Sequence, residues 1–296
     1  MFAGYRRFLV NGIRHWRHRL VGRFQQEPAV ERAPPAYPAL TEAVEYAISL
    51  TNAYLTNRVP GGPECLAGRR ILELGPGRDF TPALVMTGYG AQLTLADLYL
   101  EKWDAEYHPL FYRRVRQRIA ETYPQWPLTA IDQVIERNDH WGGRLRTLRC
   151  GLERLAGVPD QSFDLTFSNA VFEHLYNVPQ ALRELYRVTK PGGTGSHRVD
   201  FRDHRDFERP LEFLCQADFI RTLDKGNTEH GNTLRPHEME HIFLEVGFKV
   251  EEFYADMLAD PAYLAEVRPR LLGRFRQFTD EQLRVISVRF RVVRPK

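Results

Sequence analysis

Residues 71–79 read Ile-Leu-Glu-Leu-Gly-Pro-Gly-Arg-Asp, a short apolar run that leads into two glycines. Such a run is typical of a buried strand, and glycines at its end let the backbone turn tightly while a ligand lies against it. A second apolar run ends at Asp97, twenty residues beyond Gly77, where a carboxylate can accept both hydroxyl groups of a ribose. The two runs together predict a nucleoside-binding site.

The turn departs from the pattern that dinucleotide-binding proteins use. Their third glycine, which lets a pyrophosphate approach, is replaced here by Phe80. Glu73 would also place a carboxylate near a phosphate group that already carries negative charge, whereas it would attract an amino group or a sulfonium. The turn therefore favours a positively charged nucleoside ligand over a dinucleotide.

Short apolar runs alternate with helical patterns through most of the chain, as repeated strand–helix units do in a parallel sheet. Helices are predicted over 41–57, 180–189 and 236–246, the second of them ending before Pro191-Gly192-Gly193. The predicted strands are 71–74, 93–96, 145–149, 163–168, 196–201, 248–254 and 285–293. The last two strands are expected to pair as an antiparallel hairpin.

Composition shifts divide the chain into two predicted parts. Residues 1–60 are expected to be a helical appendage and linker, since prolines interrupt the helical pattern between Pro28 and Pro38. Residues 61–296 would form the main domain. That domain would carry a helical insertion at about 100–143, rich in aromatic residues and arginine, and a loop region for the acceptor at about 200–237.

Four motifs resemble, in order and spacing, the class I S-adenosylmethionine-dependent methyltransferases. They are ELGPG at 73–77, the acidic strand end at Asp97, SFDLTFSNAVFEHL at 162–175 and ALRELYRVTKPGG at 181–193. The resemblance covers 69–193 and, more weakly, the remainder to the C-terminus. It implies a Rossmann-like α/β fold with a seven-stranded, mostly parallel sheet whose last strand is antiparallel, S-adenosyl-L-methionine as the cofactor and methyl transfer as the activity.

The resemblance also implies which residues hold the cofactor. The glycine turn would hold its methionine end, the acidic end of the second strand its ribose, and the next residue would flank the adenine. Gly151 stands where related proteins commonly carry the acid that binds the adenine amino group, so Glu153 is the candidate for that role. The predicted cofactor-binding residues are Glu73, Gly75, Gly77, Asp97, Leu98, Glu153 and Asn169.

The acceptor is predicted from residues 196–207, which read Ser-His-Arg-Val-Asp-Phe-Arg-Asp-His-Arg-Asp-Phe. This run leads off the carboxyl end of the fifth predicted strand, and ligands of open α/β sheets bind over those ends. Three interpretations stay open: histidines that act as general bases with carboxylates to orient them, a site for Mg²⁺ or another hard divalent ion, and Arg–Asp ion pairs that hold a loop. The predicted catalytic residues are His197, Asp200, His174 and His204, with no metal ligand assigned.

A base is needed for an alcohol acceptor but not for an amine, so these residues favour O-methylation of a hydroxyl on a polar small molecule, sugar or glycan. An Asn/Asp-Pro-Pro-aromatic turn for a planar amino group is absent at 168–171, which argues against base methylation of DNA. Weaker acceptor contacts are predicted at Asn232, Arg235 and His237. The alternatives are an N- or carboxyl-methyltransferase and a non-catalytic scaffold recruited to a membrane.

The remaining expectations concern partners and location. The net charge of +3 argues against a nucleic-acid partner. The first 24 residues show an amphipathic helical stripe with a basic opposite side, so residues 1–26 could contact an anionic membrane, dock on their own domain or pair with a second copy. Three dispersed cysteines and the lack of a long apolar segment predict a cytoplasmic protein.

Overall fold

A computed structural model of the chain describes residues 39–217 and 232–296. The predicted helix at 1–24 and the predicted linker at 28–38 lie outside these residues.

The described residues form a seven-stranded sheet in the order β3-β2-β1-β4-β5-β7-β6. Neighbours from β3 to β5 pair in parallel, whereas β7 is antiparallel to both β5 and β6. The strands are β1 Arg70–Leu74, β2 Gln92–Asp97, β3 Leu145–Arg149, β4 Phe163–Asn169, β5 Thr189–Asp200, β6 Lys249–Leu258 and β7 Val285–Val293. The predicted Rossmann-like sheet with an antiparallel last strand is confirmed.

Helices cover both faces of the sheet, because strands buried on two sides need an apolar layer on each. One core cluster packs helices α1, α2, α3 and α4 against one face of the sheet. A second cluster packs α5 and α6 against the other face. The α-helices are α1 Leu40–Asn57, α2 Thr81–Gly88, α3 His108–Thr122, α4 Thr129–Arg137, α5 Val178–Val188, α6 Pro236–Val246, α7 Pro261–Val267 and α8 Asp280–Arg284. No helix in the described ranges combines the length and the apolar character that crossing a membrane would require.

Helix α1 is part of this core, although the sequence places it in an appendage. It packs against α2 and α3 and buries Val44, Ile48, Tyr54 and Leu55. The Tyr54 ring lies 5.3 Å from the ring of Phe167 on β4, centroid to centroid. Residues 40–57 are therefore continuous with the packing that surrounds the sheet.

Strand β5 begins earlier than predicted. Helix α5 ends at Val188, and the chain enters the strand at Thr189, so Pro191-Gly192-Gly193 lies inside β5. The register against β4 shifts between Phe163 and Leu165, and Gly192, at a φ of +75°, donates its N–H to Arg294 O at 2.8 Å. Glycine permits this irregularity within a strand.

The predicted insertion at 100–143 contains α3 and α4. Helix α3 buries Phe111 and Tyr112 against the core, while Arg113, Arg114 and Arg116 face solvent. This is the pattern of an ordinary amphipathic surface helix.

Candidate active site

Two glycines shape the turn after β1. Gly75 has a φ of +62° and Gly77 a φ of +78°, conformations that side chains with a Cβ disfavour. A Cβ on Gly75 would lie 2.5 Å from Val171 Cγ2, whereas a Cβ on Gly77 would meet no atom of the described residues within 4 Å. The first glycine thus permits close packing against the turn after β4, and the second leaves room for a ligand.

Glu73 points a carboxylate into the fold immediately before this turn. Its side chain is buried, and Oε2 has no hydrogen-bond partner among the described residues. Burial raises the pKa of Glu73 to about 7; a hydrogen bond from Tyr54 opposes the rise, Asp79 adds to it, and Arg58 opposes it. A buried carboxylate oxygen without a partner is costly unless a ligand supplies a donor. The site therefore fits the amino group of S-adenosylmethionine.

Arg58 joins α1 to the carboxyl end of β4 and was not predicted from the sequence. It donates to Ser168 O at 3.2 Å and to Asn169 Oδ1 at 2.9 Å, and its guanidinium lies 4.5 Å from the centroid of the Tyr54 ring. Asn169 in turn donates to the Tyr46 hydroxyl at 3.2 Å. A signal for Arg58 does exist in the sequence, since a residue four places after a buried tyrosine lies on the same helix face.

The predicted ribose and adenine residues lie at the adjoining ends of β2 and β3. Asp97 accepts the Tyr99 N–H at 2.7 Å, and its carbonyl accepts the Cys150 N–H at 3.2 Å. Leu98 is partly buried directly after it. Glu153 Oε2 lies 3.5 Å from the position that a Cβ on Gly151 would take, so the Glu153 carboxylate lies over the residue that replaces the expected acid.

His197 does not lie where the sequence predicted. It is fully buried inside the sheet, with Nδ1 2.9 Å from Ser168 Oγ and Nε2 3.2 Å from Thr166 Oγ1. Burial lowers the pKa of His197 to about 3, with a smaller contribution from Arg58. Both ring nitrogens are engaged and the side chain is fully buried, which does not favour a role in accepting a proton from an external acceptor.

The two aspartates of the predicted acceptor loop, Asp200 and Asp203, form Arg–Asp ion pairs, as one of the three interpretations expects. The Arg202 side chain forms a bidentate pair with Asp200, at 2.9 Å from Nε to Oδ1 and 2.6 Å from a terminal nitrogen to Oδ2. Arg205 forms the same kind of pair with Asp203, at 2.9 and 2.6 Å. These bidentate pairs hold the loop after β5 in place.

His174, His204 and the unpredicted Glu173 meet between the ends of β4 and β5. The ring centroids of the two histidines are 5.0 Å apart, and His204 Nε2 is 3.9 Å from Asp200 Oδ2. Glu173 is buried, accepts the Asp200 N–H at 3.2 Å through Oε1, and has a pKa that burial raises to about 8. The chain reaches this arrangement through Ala170, whose φ of +55° is strained for a residue with a Cβ.

The three weaker acceptor candidates have structural contacts. Asn232 donates its side-chain amide to Phe172 O at 2.7 Å and to Leu175 O at 3.2 Å, which fixes the turn that carries Glu173 and His174. The Arg235 guanidinium is fully buried and donates to three backbone carbonyls. The His237 ring packs edge-on against Phe278, 4.6 Å away between centroids.

Known proteins show the same kind of domain. Residues 117–195 match the family model of a methyltransferase domain. The chain is 33% identical over 125 residues to a malonyl-[acyl-carrier protein] O-methyltransferase of Halorhodospira halophila. The aligned segment covers 42% of this chain and 32% of that protein. It is 28% identical over 190 residues to a Mycolicibacterium smegmatis protein named "Probable S-adenosylmethionine-dependent methyltransferase". That alignment covers 63% of this chain and 54% of that protein.

The chain thus spans about half the length, or less, of these curated relatives. Among solved structures, it is similar to an S-adenosylmethionine-dependent methyltransferase from Mesorhizobium loti, at 17% identity and a TM-score of 0.44, over 86% of this chain and 100% of that one. The matched methyltransferase domain, the curated relatives, the sheet order and the glycine turn together support a class I S-adenosylmethionine-dependent methyltransferase.

Proposed function

We propose that this chain is an enzyme that methylates a hydroxyl group on a polar small molecule, sugar or glycan. The observation that carries the proposal is Glu73, whose buried Oε2 has no partner among the described residues and lies beside the open glycine turn. Glu73 would bind the amino group of the cofactor, Asp97 its ribose, and Leu98 and Glu153 its adenine. S-adenosylmethionine supplies a methyl group on a positively charged sulfur, so that a C–O bond forms as the C–S bond breaks and its electron pair stays on sulfur.

The position and polarity of the cluster after β4 and β5 support a hydroxylated acceptor. Val171 packs against the glycine turn, and Glu173 and His174 follow within three residues. His174 and His204 are only partly buried, unlike His197. Imidazole nitrogens beside the cofactor end of the sheet can bind an acceptor hydroxyl and receive its proton. The curated relative named as an O-methyltransferase supports oxygen as the acceptor atom.

Calorimetry tests the cofactor part of the proposal. The wild type should bind S-adenosylmethionine and its demethylated product with micromolar affinity, and Glu73→Gln and Asp97→Ala should each weaken binding on the order of tenfold or more, because each removes a charged hydrogen-bond partner. A folded wild-type chain that binds neither ligand would refute the enzyme assignment and favour a scaffold role.

A matched panel of acceptors tests the hydroxyl assignment. Each scaffold is supplied with a hydroxyl, an amine or a carboxylate, and methylated product is identified by mass spectrometry. His204→Ala should lower turnover of the hydroxyl member without changing cofactor affinity. If only the amines or only the carboxylates are methylated, and wild type and His204→Ala turn them over equally, the hydroxyl assignment is wrong. The chain would then be an N- or carboxyl-methyltransferase.

A further inference from the structure

Glu173, His174 and His204 form a compact set of donor atoms. One carboxylate oxygen and one nitrogen from each imidazole all lie within 4.8 Å of one another. The first two residues belong to the short 3₁₀ turn Phe172–His174 after β4, and the third belongs to the loop after β5. Two neighbouring parallel strands therefore deliver the three side chains to one point at the carboxyl edge of the sheet.

Two of these donor atoms are buried and make no hydrogen bond within the described part of the chain. Glu173 Oε2 and His204 Nε2 are both shielded from solvent and make no hydrogen bond to any described residue. Glu173 itself is only 2% exposed, so its second oxygen cannot be satisfied by bulk water. Buried polar atoms are nearly always paired in folded proteins, which points to a missing ligand at this position.

The donor atoms of the cluster are suited to a cation. Arg202 forms a bidentate pair with Asp200 and so neutralises it. Glu173 has no salt-bridge partner within 4.0 Å among the residues described, and its Oε1 is already held by the Asp200 N–H. The remaining oxygen faces two imidazoles, which are electron-pair donors when neutral. A positive ion can accept an electron pair from each of the three side chains.

We propose that Glu173, His174 and His204 bind a divalent first-row transition-metal ion such as Zn²⁺ or Co²⁺. Two imidazoles and one carboxylate form a donor set suited to these ions, whereas Mg²⁺ and Ca²⁺ prefer oxygen ligands. Metal–ligand bonds of about 2.0–2.2 Å require donors about 3.4 Å apart, so modest side-chain rotations would draw the cluster together on binding. The Asp200 N–H bond to Glu173 orients the carboxylate, as outer contacts do in metal sites.

Three protein ligands leave at least one coordination position open. Resting on the proposed function, we infer that this position takes the acceptor hydroxyl, because a bound divalent ion lowers the pKa of a coordinated oxygen and so makes it a better nucleophile. In this metal-bound form the ligating imidazole nitrogens do not act as bases, and the hydroxyl proton leaves to solvent, which reaches the partly exposed His174 and His204.

Metal binding is measured on the full chain after removal of metal with a chelator. Titration with CoCl₂ should produce a visible d–d absorption band that saturates at about one ion per chain, and zinc-loaded protein should retain about one zinc by mass spectrometry. Glu173→Gln keeps the shape of the side chain and an acceptor for the Asp200 N–H. It and His204→Ala should each weaken Co²⁺ binding on the order of a hundredfold.

His241→Ala is the matched control, since His241 lies 3.1 Å from Glu245 on the surface of α6 but belongs to no three-donor group among the described residues. It should bind Co²⁺ as the wild type does. Absence of stoichiometric binding in the wild type, or equal binding by all three variants, would overturn the metal site. S-adenosylmethionine affinity is measured on the same samples, so that loss of the metal site and failure of the methyltransferase proposal give different results.

Discussion

Glu73 is subject to two opposing influences at the residue scale. Burial raises its pKa to about 7, while the Tyr54 hydroxyl and the Arg58 guanidinium favour the ionised form. A substantial fraction of the ligand-free molecules therefore carries a protonated Glu73 at neutral pH. An amino group that arrives as an ammonium ion requires the ionised carboxylate.

Affinity for S-adenosylmethionine should consequently rise with pH up to about 7 and then level off. Below that pH, binding must expel the Glu73 proton, and each unit of acidification should weaken binding by up to about tenfold. Calorimetry in buffers of different ionisation enthalpy measures the proton release directly. Glu73→Gln has no carboxyl to titrate, so a pH slope that persists in this variant would assign the effect to another group.

At the scale of the element, the role of the glycine turn in ligand binding can be separated from its role in backbone conformation by comparing two glycines that both have a positive φ. Gly77 and Gly62 have φ values of +78° and +82°, and neither would place a Cβ within 4 Å of a described atom. Alanine at either position should cost about 1–2 kcal/mol of unfolding free energy.

Only Gly77→Ala should also reduce S-adenosylmethionine affinity, on the order of tenfold, because its Cβ would occupy the space left for the ligand. Urea unfolding and calorimetry on both variants provide the comparison. Equal affinity in Gly77→Ala and Gly62→Ala would show that no ligand approaches the second glycine.

Two arginine contacts of different kinds hold helix α1, one to the sheet and one to α3. Arg58 is buried and hydrogen-bonds the end of β4, whereas Arg118 pairs on the surface with Glu45 of α1 at 2.7 Å. Arg58→Lys keeps the charge but loses the forked donor geometry, so it should lower the unfolding free energy by about 1–3 kcal/mol. Arg118→Lys should leave the urea midpoint unchanged. Equal midpoints for both variants would contradict a structural role for the buried contact.

The bounds of secondary-structure elements were predicted correctly where a continuous local sequence pattern marks them, and wrongly where distant residues decide them. The strands β3 and β7 have the predicted bounds because each is a continuous β-rich run between polar segments. The start of β5 was wrong because Pro191-Gly192-Gly193 reads as a helix stop, while its strand character depends on Arg294, about a hundred residues away. Such pairing is decided by tertiary contacts.

The same division holds for the whole molecule. The glycine turn and Asp97 come from short local motifs and were identified from the sequence, whereas the cluster of Glu173 with His204 depends on two strands being neighbours. His197 was misplaced because β5 is covered on both faces, so alternation along it does not distinguish a ligand-facing side chain from a buried one. Arg58 was missed because its partners lie on β4.

Truncation tests whether α1 belongs to the domain. A chain beginning at residue 61 lacks Tyr54 and Arg58 and exposes the apolar surface of α2 and α3 that α1 covers. It should lose cooperative thermal unfolding and S-adenosylmethionine binding. A chain beginning at residue 39 retains every described contact and serves as the control. If the shorter chain unfolds cooperatively and binds the cofactor with normal affinity, α1 is an appendage and not part of the domain.

The Arg58 contact with β4 also has a consequence during protein synthesis. Its partners Ser168 and Asn169 follow it by 110 and 111 residues, which a ribosome translating about 5–20 residues per second supplies only after roughly 5–20 seconds. Throughout that interval the end of α1 that carries Tyr54 and Arg58 has no β4 to cover it. The nascent chain therefore carries this partly uncovered helix for seconds, and chaperones that bind such segments during translation should engage this protein before β4 emerges.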